Sequence, residues 1–252
     1  MKIVRFSATG KACYGILESD KIQVCTGTPY LRLEPTDRYY GITDVKLLPP
    51  CAPSKIVALG VNYRSHGEEM SHRIPAEPLI FIKPSTSVIG PDDDIVYPVS
   101  SKRVDYEGEL GVVIKNNTYQ VSKKEANHHI LGYTCINDVT ARDIQASDKQ
   151  WTRSKGFDTF CPIGPCIETE LEPGNLSLKT FLNGEIKQET STSDLVFPVN
   201  ELVSFISHVM TLLPGDVIAT GTPSGIGPMQ PGDTVEITIE NIGTLRNRVI
   251  NR

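Results

Sequence analysis

Apolar residues occur along this chain in short runs separated by turn residues, a pattern typical of strands. Residues 55–60, 78–84 and 130–136 are mostly apolar runs of the kind found in buried strands. Residues 104–114 also predict a strand, with acidic residues alternating in its first half and apolar, β-branched residues dominating its second. The Asn-Gly pair within residues 178–186 predicts a tight turn between two paired strands. We therefore expect a mainly β protein.

Helical periodicity is clear in residues 200–213, so the fold also contains α structure. Asn200 is expected to cap this helix and Pro214-Gly215 to end it. A second helix is expected to begin within residues 140–145. The apolar stripe that should face the core in the first helix consists of Leu202, Phe205, Ile206, Val209 and Leu213.

The chain divides at its most proline-rich stretch, residues 49–53. Before it, residues 1–48 contain short apolar strands between turn residues and predict a small N-terminal β domain without recognisable chemistry. After it, residues 49–252 carry every motif that suggests a site. A length of 252 residues suits one large domain with a small appendage.

Carboxylates concentrate in and after the predicted strand at residues 104–114. Because successive side chains on a strand point to opposite faces, Asp105, Glu107 and Glu109 share one face. Carboxylates held that close repel each other unless water solvates them, a proton is shared or a cation binds. A cation site needs a third oxygen ligand, and Asp138, at the end of the next apolar strand, is a candidate. The alternatives are a solvated acidic edge strand and an Asp138 that only caps the following helix.

A histidine and a glutamate follow the strand at residues 55–60. His66 and Glu69 are three residues apart, so on a helical turn they face the same way. A carboxylate that touches an imidazole fixes its tautomer and raises its basicity, as a general base requires. The alternative is a surface His–Glu pair. Residues 64–76 are polar and include glycine and proline, which favours a mobile lid.

Cationic and amide side chains supply further candidates. Arg142 and Gln145 lie three residues apart on the predicted helix, and an arginine fork suits a planar carboxylate. Lys155, beside a glycine in an aromatic-rich stretch, is a candidate for neutralising developing negative charge. Lys83, at the end of a strand, is interpreted as a snorkelling lysine rather than a site residue. The glycine-rich loop at residues 219–227 offers backbone N–H groups to an anion. The alternatives are an exposed helix with charge pairs, a Lys155 that pairs with Asp158 or is simply exposed, and a plain turn before the last hairpin.

Composition narrows the class of protein. The net charge is -5, with 25 basic and 30 acidic residues mixed along the chain, so no basic run suggests nucleic acid or an anionic membrane. No apolar run is long enough to span a bilayer, and the N-terminus does not resemble a secretory signal. Six cysteines without C-x-x-C spacing indicate reduced thiols and a cytoplasmic location, and zinc is not expected.

The order of the motifs is more specific than any one of them. They are G-V-N-Y-R-S-H-x-x-E (60–69), F-I-K-P-S-T (81–86), D-Y-E-G-E-L-G-V-V-I (105–114), N-D-V-T-A-R-D-I-Q (137–145), K-G-F-D-T-F-C-P-I-G-P (155–165) and A-T-G-T-P-S-G-I-G (219–227). This series resembles the fumarylacetoacetate hydrolase family from about residue 50 to the C-terminus. It is most similar to the compact members that lack a large N-terminal domain.

The resemblance implies a mixed β-sandwich roll, a homodimer and a bound Mg²⁺ or Mn²⁺ ion. The metal ligands it implies are Glu107, Glu109 and Asp138. The catalytic residues it implies are His66, Glu69 and Lys155. The substrate-binding residues it implies are Arg64, Arg142, Gln145, Gly221 and Thr222. Nothing transfers to the N-terminal segment, where the family varies.

The resemblance also implies a metal-dependent enzyme that acts on a 2-oxo or enol carboxylate. The first expectation is hydrolytic C–C cleavage of an acylpyruvate such as fumarylpyruvate, as in aromatic catabolism. The alternatives are an oxaloacetate decarboxylase or tautomerase, and a 2-hydroxyhepta-2,4-diene-1,7-dioate isomerase or decarboxylase. A further alternative is a catalytically silent, metal-binding member of the fold.

Overall fold

A computed structural model of the chain describes residues 1–8, 10–69 and 75–251. The side chains of His66, Glu68 and Glu69 lie outside the described part, as do residues 70–74 of the predicted lid. The strands are β1 (Lys2–Ser7), β2 (Ala12–Glu18), β3 (Lys21–Thr28), β4 (Arg32–Gly41), β5 (Lys46–Leu48), β6 (Lys55–Leu59), β7 (Ile80–Pro84), β8 (Val88–Ile89), β9 (Asp94–Tyr97), β10 (Val104–Tyr106), β11 (Gly108–Ile114), β12 (Ile130–Asn137), β13 (Thr140–Ala141), β14 (Cys161–Glu168), β15 (Ser177–Leu182), β16 (Glu185–Ser191), β17 (Val217–Ala219), β18 (Gly227–Met229), β19 (Thr234–Ile239) and β20 (Gly243–Asn251). The α-helices are α1 (Arg64–Glu69), α2 (Arg142–Asp148), α3 (Thr152–Lys155) and α4 (Val199–Val209). Short 3₁₀ turns cover Ile42–Asp44, Ser85–Ser87, Ala126–His129, Pro173–Asn175 and Thr192–Asp194.

Three sheets organise the described part of the chain. The largest has 12 strands and runs β4-β3-β2-β1-β14-β12-β11-β17-β6-β7, with β5 beside β1 and β8 beside β14. A second sheet runs β16-β15-β19-β20-β9, and a small third one runs β13-β10-β18. Most pairs are antiparallel, whereas β17 with β6, β20 with β9 and β14 with β8 are parallel. The expected mainly β, mixed roll is therefore confirmed.

The main core lies between the largest sheet and the second sheet. Leu110 and Val112 on β11 pack in one apolar cluster with Leu178 on β15, Ile237 on β19 and Leu245 on β20. Side chains on β19 alternate between buried and partly buried positions, as expected for a strand with one face on a core. Every residue of β11 is buried, because its other face is covered as well. The strand that carries Glu109 is thus central rather than at an edge.

The N-terminal strands continue the largest sheet. Lys2 and Ile3 on β1 pair with Glu168 and Ile167 on β14, so β1 joins β2–β4 to the rest of the fold. The strand β4 was not anticipated from the sequence. A functional division of the chain at residues 48 and 49 stays a prediction, since the sheet itself runs through both parts.

Two elements differ from their sequence-based predictions. The strand expected at residues 104–114 is interrupted at Glu107, so that β10 belongs to the small sheet and β11 to the largest one. The helix α4 starts at Val199 and ends at Val209, four residues earlier than expected. The backbone N–H and C=O of Leu212 both pair with Thr118, and this bridge holds the following residues in an extended conformation.

Two predictions about local structure have opposite outcomes. Asn200 does not cap α4, because its side-chain oxygen accepts a hydrogen bond from the adjacent Glu201 N–H inside the helix. The Asn183-Gly184 turn is confirmed, with φ values of 54° and 82° between β15 and β16. None of the described helices is both long and apolar enough to traverse a bilayer.

Candidate active site

Three carboxylates meet where β10 gives way to β11. One oxygen from each of Glu107, Glu109 and Asp138 lies within 4.8 Å of the others. Antiparallel pairing of β11 with β12 sets Gly108 opposite Asn137, which brings the end of β12 beside the interruption. The Asp138 N–H donates to the Glu107 C=O at 2.9 Å and fixes this alignment.

Burial decides between the alternatives for these acids. Glu107 is 5% exposed, Glu109 0% and Asp138 1%, so water does not solvate them as it would on an acidic edge strand. Asp138 does not cap α2 either, because the residue at the N-terminal cap is Ala141. Buried carboxylates are costly unless they are paired or bind a cation. Their partners therefore determine what the site can do.

Glu107 and Asp138 lie in a chain of ion pairs in which cationic and carboxylate side chains alternate. The Lys155 ammonium donates to Glu107 Oε2 at 2.8 Å and to Asp138 Oδ2 at 2.6 Å. The Arg142 guanidinium donates from Nη2 to Glu107 Oε1. The chain of contacts runs in the order Arg103, Asp105, Arg142, Glu107, Lys155, Asp138 and Lys83.

These pairs set the charge states of Glu107 and Lys155. Burial alone would raise the pKa of the Glu107 carboxyl, but the Lys155 ammonium and the Arg142 guanidinium outweigh it and hold that pKa well below its usual range. Burial would lower the pKa of Lys155, but Asp138 and Glu107 raise it above its ordinary value. Both groups are therefore charged at neutral pH.

Glu109 is the exception among the three acids. Its Oε1 is buried without a hydrogen-bond partner, and it makes no ion pair among the described residues. Burial, together with the negative charges of Asp138 and Glu107, raises the pKa of Glu109 well above its ordinary value. A divalent cation would satisfy the orphaned oxygen and relieve this repulsion. The residues therefore fit a divalent metal, and an all-oxygen donor set suits Mg²⁺ or Mn²⁺.

A cavity of about 530 Å³ opens beside the carboxylates. One of its sides is aromatic, where Phe81 and Trp151 pack edge to face with ring centroids 5.0 Å apart. The Lys155 Nζ lies 5.2 Å from the Phe81 ring centroid, so the ammonium lies between this wall and the acids. The residues that line the cavity are Leu59, Gly60, Val61, Phe81, Glu107, Arg142, Gln145, Ala146, Trp151, Lys155 and Thr222.

The predicted substrate-binding residues fall in different places. Arg142, Gln145 and Thr222 line the cavity. The Gly221 N–H donates to Glu109 Oε2 at 2.8 Å, so this backbone group binds a protein carboxylate. Arg64 does not line the cavity, and its half-exposed guanidinium lies 3.9 Å from Asp194. The side chains of His66 and Glu69 lie outside the described part, although their backbone belongs to α1.

Most of the chain matches the profile of a known family. Residues 55–250 match the sequence profile described as fumarylacetoacetate (FAA) hydrolase C-terminal. The chain belongs to the fumarylacetoacetate hydrolase family. Residues 1–50 match a separate profile described as Rv2993c-like, N-terminal. The central strands, the acidic triad and the cavity all lie within the part that the family profile covers.

The names of relatives within this family indicate more than one activity. An uncharacterized protein of Archaeoglobus fulgidus is 56% identical over 83% of this chain and 84% of its own length. The oxaloacetate tautomerase YisK of Bacillus subtilis is 42% identical over 83% of this chain and 75% of its own. The structure of a 5-carboxymethyl-2-hydroxymuconate delta-isomerase from Mycobacterium smegmatis is 43% identical over the whole of both chains, with a TM-score of 0.94.

One solved structure of the family contains ligands that bear on the site. A maleylpyruvate hydrolase from Sphingobium, in complex with manganese(II) and pyruvate, is 29% identical and has a TM-score of 0.84. The match covers 99% of that chain and all of this one. Family members are thus enzymes of more than one reaction type, so membership of the family does not by itself specify the reaction of this chain.

Two residues of this site were not predicted from the sequence. The interpretation of Lys83 as a snorkelling lysine is wrong, because the side chain is fully buried, pairs with Asp138 and donates to the Val139 C=O at 3.2 Å. Gln188, from the second sheet, accepts from the Gly108 N–H at 2.9 Å and donates to the Thr222 hydroxyl at 2.9 Å. A charged residue inside the apolar run at 78–84 was the available signal for Lys83. No local signal pointed to Gln188.

Proposed function

We propose that this protein is a divalent-metal-dependent enzyme of 2-oxo or enol carboxylates that moves a proton at the carbon next to the oxo group. The observation that carries the proposal is the shared cavity of the acidic triad, Lys155 and Arg142. With Glu109 ionised, the four carboxylates and four cations of this cluster balance. A bound divalent ion would leave a net positive site, which suits an anion that gains charge as it becomes an enolate.

Lys155 and Arg142 have donors left for such a substrate. The Lys155 ammonium has three N–H groups, of which Glu107 and Asp138 accept two. The third can stabilise negative charge on the substrate oxygen. The Arg142 guanidinium can bind the carboxylate, and the aromatic wall can hold a planar, conjugated chain. When bound, the divalent ion would supply Lewis-acid charge at the same end of the cavity.

The proton itself needs a base. His66 and Glu69 are the sequence-based candidates, and in this proposal Glu69 orients the His66 imidazole, which accepts and returns the proton. Among the described residues, Glu107, Asp138 and Lys155 are committed to ion pairs and are poorly suited to this role. His66→Ala should therefore reduce turnover without reducing metal affinity.

We rank proton transfer as the first candidate reaction because of the relatives whose names include a reaction. The tautomerase and the isomerase are 42% and 43% identical to this chain, whereas a fumarylacetoacetate hydrolase from Exiguobacterium antarcticum is 36% identical and the maleylpyruvate hydrolase is 29% identical. Hydrolytic C–C cleavage of an acylpyruvate is the second candidate. The cavity of about 530 Å³, with its aromatic wall, supports it because there is room for more than a four-carbon acid. Both reactions pass through the same enolate.

The test compares the two reactions on one preparation. The rate of oxaloacetate ketonisation is followed by the loss of enol absorbance, and acylpyruvate cleavage by NMR detection of pyruvate, each with Mg²⁺ and again with a chelator. The proposal expects chelator-sensitive ketonisation, and Lys155→Met should slow it by about a hundredfold or more. Cleavage without ketonisation would favour the second candidate. Neither reaction, with metal bound, would support a catalytically silent protein.

We also propose that the protein forms a homodimer, as its family resemblance implies. Light scattering at micromolar concentration should give twice the mass of the 27.7 kDa chain. A single-chain mass under those conditions would contradict the proposal.

A further inference from the structure

Asp105 lies on β10, two residues before Glu107, but does not belong to the triad. Its side chain is fully buried, and its two oxygens accept hydrogen bonds from two guanidinium groups. Arg103 donates from Nε to Oδ1 at 2.9 Å and from Nη2 to Oδ2 at 3.1 Å. Arg142 donates from Nε to Oδ2 at 2.9 Å. The negative charge of Asp105 is therefore used by arginines and is not directed at the cation site.

The donors of Arg142 are only partly used by the protein. Its Nε–H goes to Asp105, one Nη1–H to Gln145 Oε1 at 2.6 Å, and one Nη2–H to Glu107 Oε1. A guanidinium has five N–H donors, so one remains on each Nη atom. Arg142 lines the cavity with 16% of its side chain exposed, so these two donors are available to a ligand there. A planar carboxylate can accept both at once.

We propose that Asp105 is a positioning residue that fixes the plane of the Arg142 guanidinium, so that its two Nη atoms present paired donors to a substrate carboxylate. The inference rests on the proposed function, which supplies that carboxylate. The hydrogen bond at Nε matters because it restrains rotation of the whole fork. Glu107 and Gln145 each hold a terminal nitrogen, and without the hydrogen bond at Nε the fork can turn about those two points.

Replacing the carboxylate by an amide weakens this restraint with little change in size. In Asp105→Asn the negative charge is lost and an NH₂ donor replaces one of the two acceptor oxygens, so at most two of the three guanidinium hydrogen bonds remain, and both go to a neutral oxygen. We expect the affinity for oxalate, measured by titration calorimetry with saturating Mg²⁺, to fall roughly tenfold or more. The affinity for Mg²⁺ alone should stay within about twofold, since Asp105 is not a ligand.

Asp143→Asn is the matched control. Asp143 lies next to Arg142 on α2. Its carboxylate accepts from the Ser101 hydroxyl at 2.6 Å and from the Lys102 N–H at 2.8 Å, and so holds the residues before β10 against that helix. These hydrogen bonds go to the segment before β10 and not to the guanidinium. Oxalate affinity in this variant should equal that of the wild type. Weakening equal to that of Asp105→Asn would mean that the loss reflects the segment's anchoring and would overturn the inference.

A double-mutant cycle separates positioning from general stabilisation. In the Arg142→Gln background there is no guanidinium to orient, so adding Asp105→Asn should not weaken oxalate binding further. An equal loss in both backgrounds would show that Asp105 acts independently of Arg142. If Asp105→Asn does not fold, Asp105→Glu keeps the charge but shifts the carboxylate by one methylene. Wild-type oxalate affinity in that variant would also contradict the inference.

The inference and the proposed function can fail separately. Oxalate binding that depends on Asp105 and Arg142, without turnover of any 2-oxo acid, would sink the proposed function and leave the positioning role standing. Normal turnover with unchanged oxalate affinity in Asp105→Asn would refute the positioning role and leave the proposed function standing. No oxalate binding to the wild type with Mg²⁺ would remove both.

Discussion

The Gly221 N–H donates a 2.8 Å hydrogen bond to Oε2 of Glu109, whereas Oε1 of the same buried carboxylate has no partner. One backbone dipole is weak compensation for a carboxylate that Glu107 and Asp138 also repel. This imbalance is the strongest structural argument for a cation at the triad, and it makes Glu109 the residue whose neutralisation should be most informative.

Glu109→Gln should abolish stabilisation by Mg²⁺ or Mn²⁺ and preserve the fold. In the wild type, a metal at a hundred times its dissociation constant should stabilise the folded state by about 2.7 kcal/mol. Without metal, the variant should unfold at a higher temperature than the wild type, because it buries no unpaired carboxylate. Thermal melts with and without metal measure both effects. Glu189→Gln, at a position with a 58% exposed carboxylate, is the control and should behave as the wild type. Metal stabilisation that survives in Glu109→Gln would refute the ligand assignment.

Lys155→Met should separate catalysis from metal binding. The ammonium contributes charge stabilisation of the kind whose removal costs about a hundredfold or more in turnover. Metal affinity should not fall, because the variant removes a cation that competes for Glu107 and Asp138. Turnover assays and Mn²⁺ titration would measure the two quantities. Wild-type turnover in this variant would exclude Lys155 from the reaction.

Trp151 offers a direct signal for ligand binding, since it is the only tryptophan in the sequence and lines the cavity. A 2-oxo acid that enters the cavity in the presence of Mg²⁺ should change the tryptophan emission in a saturable way. Without a divalent ion the change should require far more ligand. Arg142→Gln should weaken the response, whereas an unchanged titration curve in that variant would place the ligand elsewhere.

Asp216, directly before β17, should contribute strongly to the free energy of unfolding. Its buried carboxylate accepts from the Ser54 N–H at 2.9 Å, the Leu213 N–H at 2.9 Å and the Lys55 ammonium. Asp216→Asn should therefore lower the free energy of unfolding by about 2–4 kcal/mol in urea denaturation at neutral pH. Asp92→Asn, with a 72% exposed carboxylate, is the matched control and should change little.

The loss in Asp216→Asn should depend on pH in a defined direction. Burial would raise the pKa of Asp216, but hydrogen bonds from Lys55, Leu213 and Ser54 outweigh it and hold the pKa below its ordinary value of 3.8. A depressed folded-state pKa stabilises the protein fully above the unfolded value and loses that stabilisation as pH falls through the folded one. The difference between wild type and variant should thus be constant near neutral pH and shrink below 3.8. A difference that grew there would contradict this account.

Local sequence chemistry determined several features without help from the rest of the fold. The Asn183-Gly184 turn formed as expected because both residues tolerate positive φ. The two-residue period of a strand predicted that Glu107 and Glu109 point the same way, and one oxygen of each lies within 4.8 Å of the other. The order of motifs indicated the family, and with it the mainly β roll. The turn and the shared face depend on residues close together in the chain, whereas the order of motifs is read along residues 60–227.

The tertiary structure alone decided which charges meet. The period of a strand predicts the direction of the Asp105 side chain. It does not predict that Arg103 and Arg142 form ion pairs with Asp105, whereas Glu109 has no cationic partner among the described residues. Lys83 reaches Asp138 across 55 residues of sequence, and Leu212 ends the helical region early by pairing with Thr118. Such partners are set by strand register and sheet packing, which bring distant segments to one place. Side-chain direction is local, whereas the electrostatic environment that gives this site its chemistry is not.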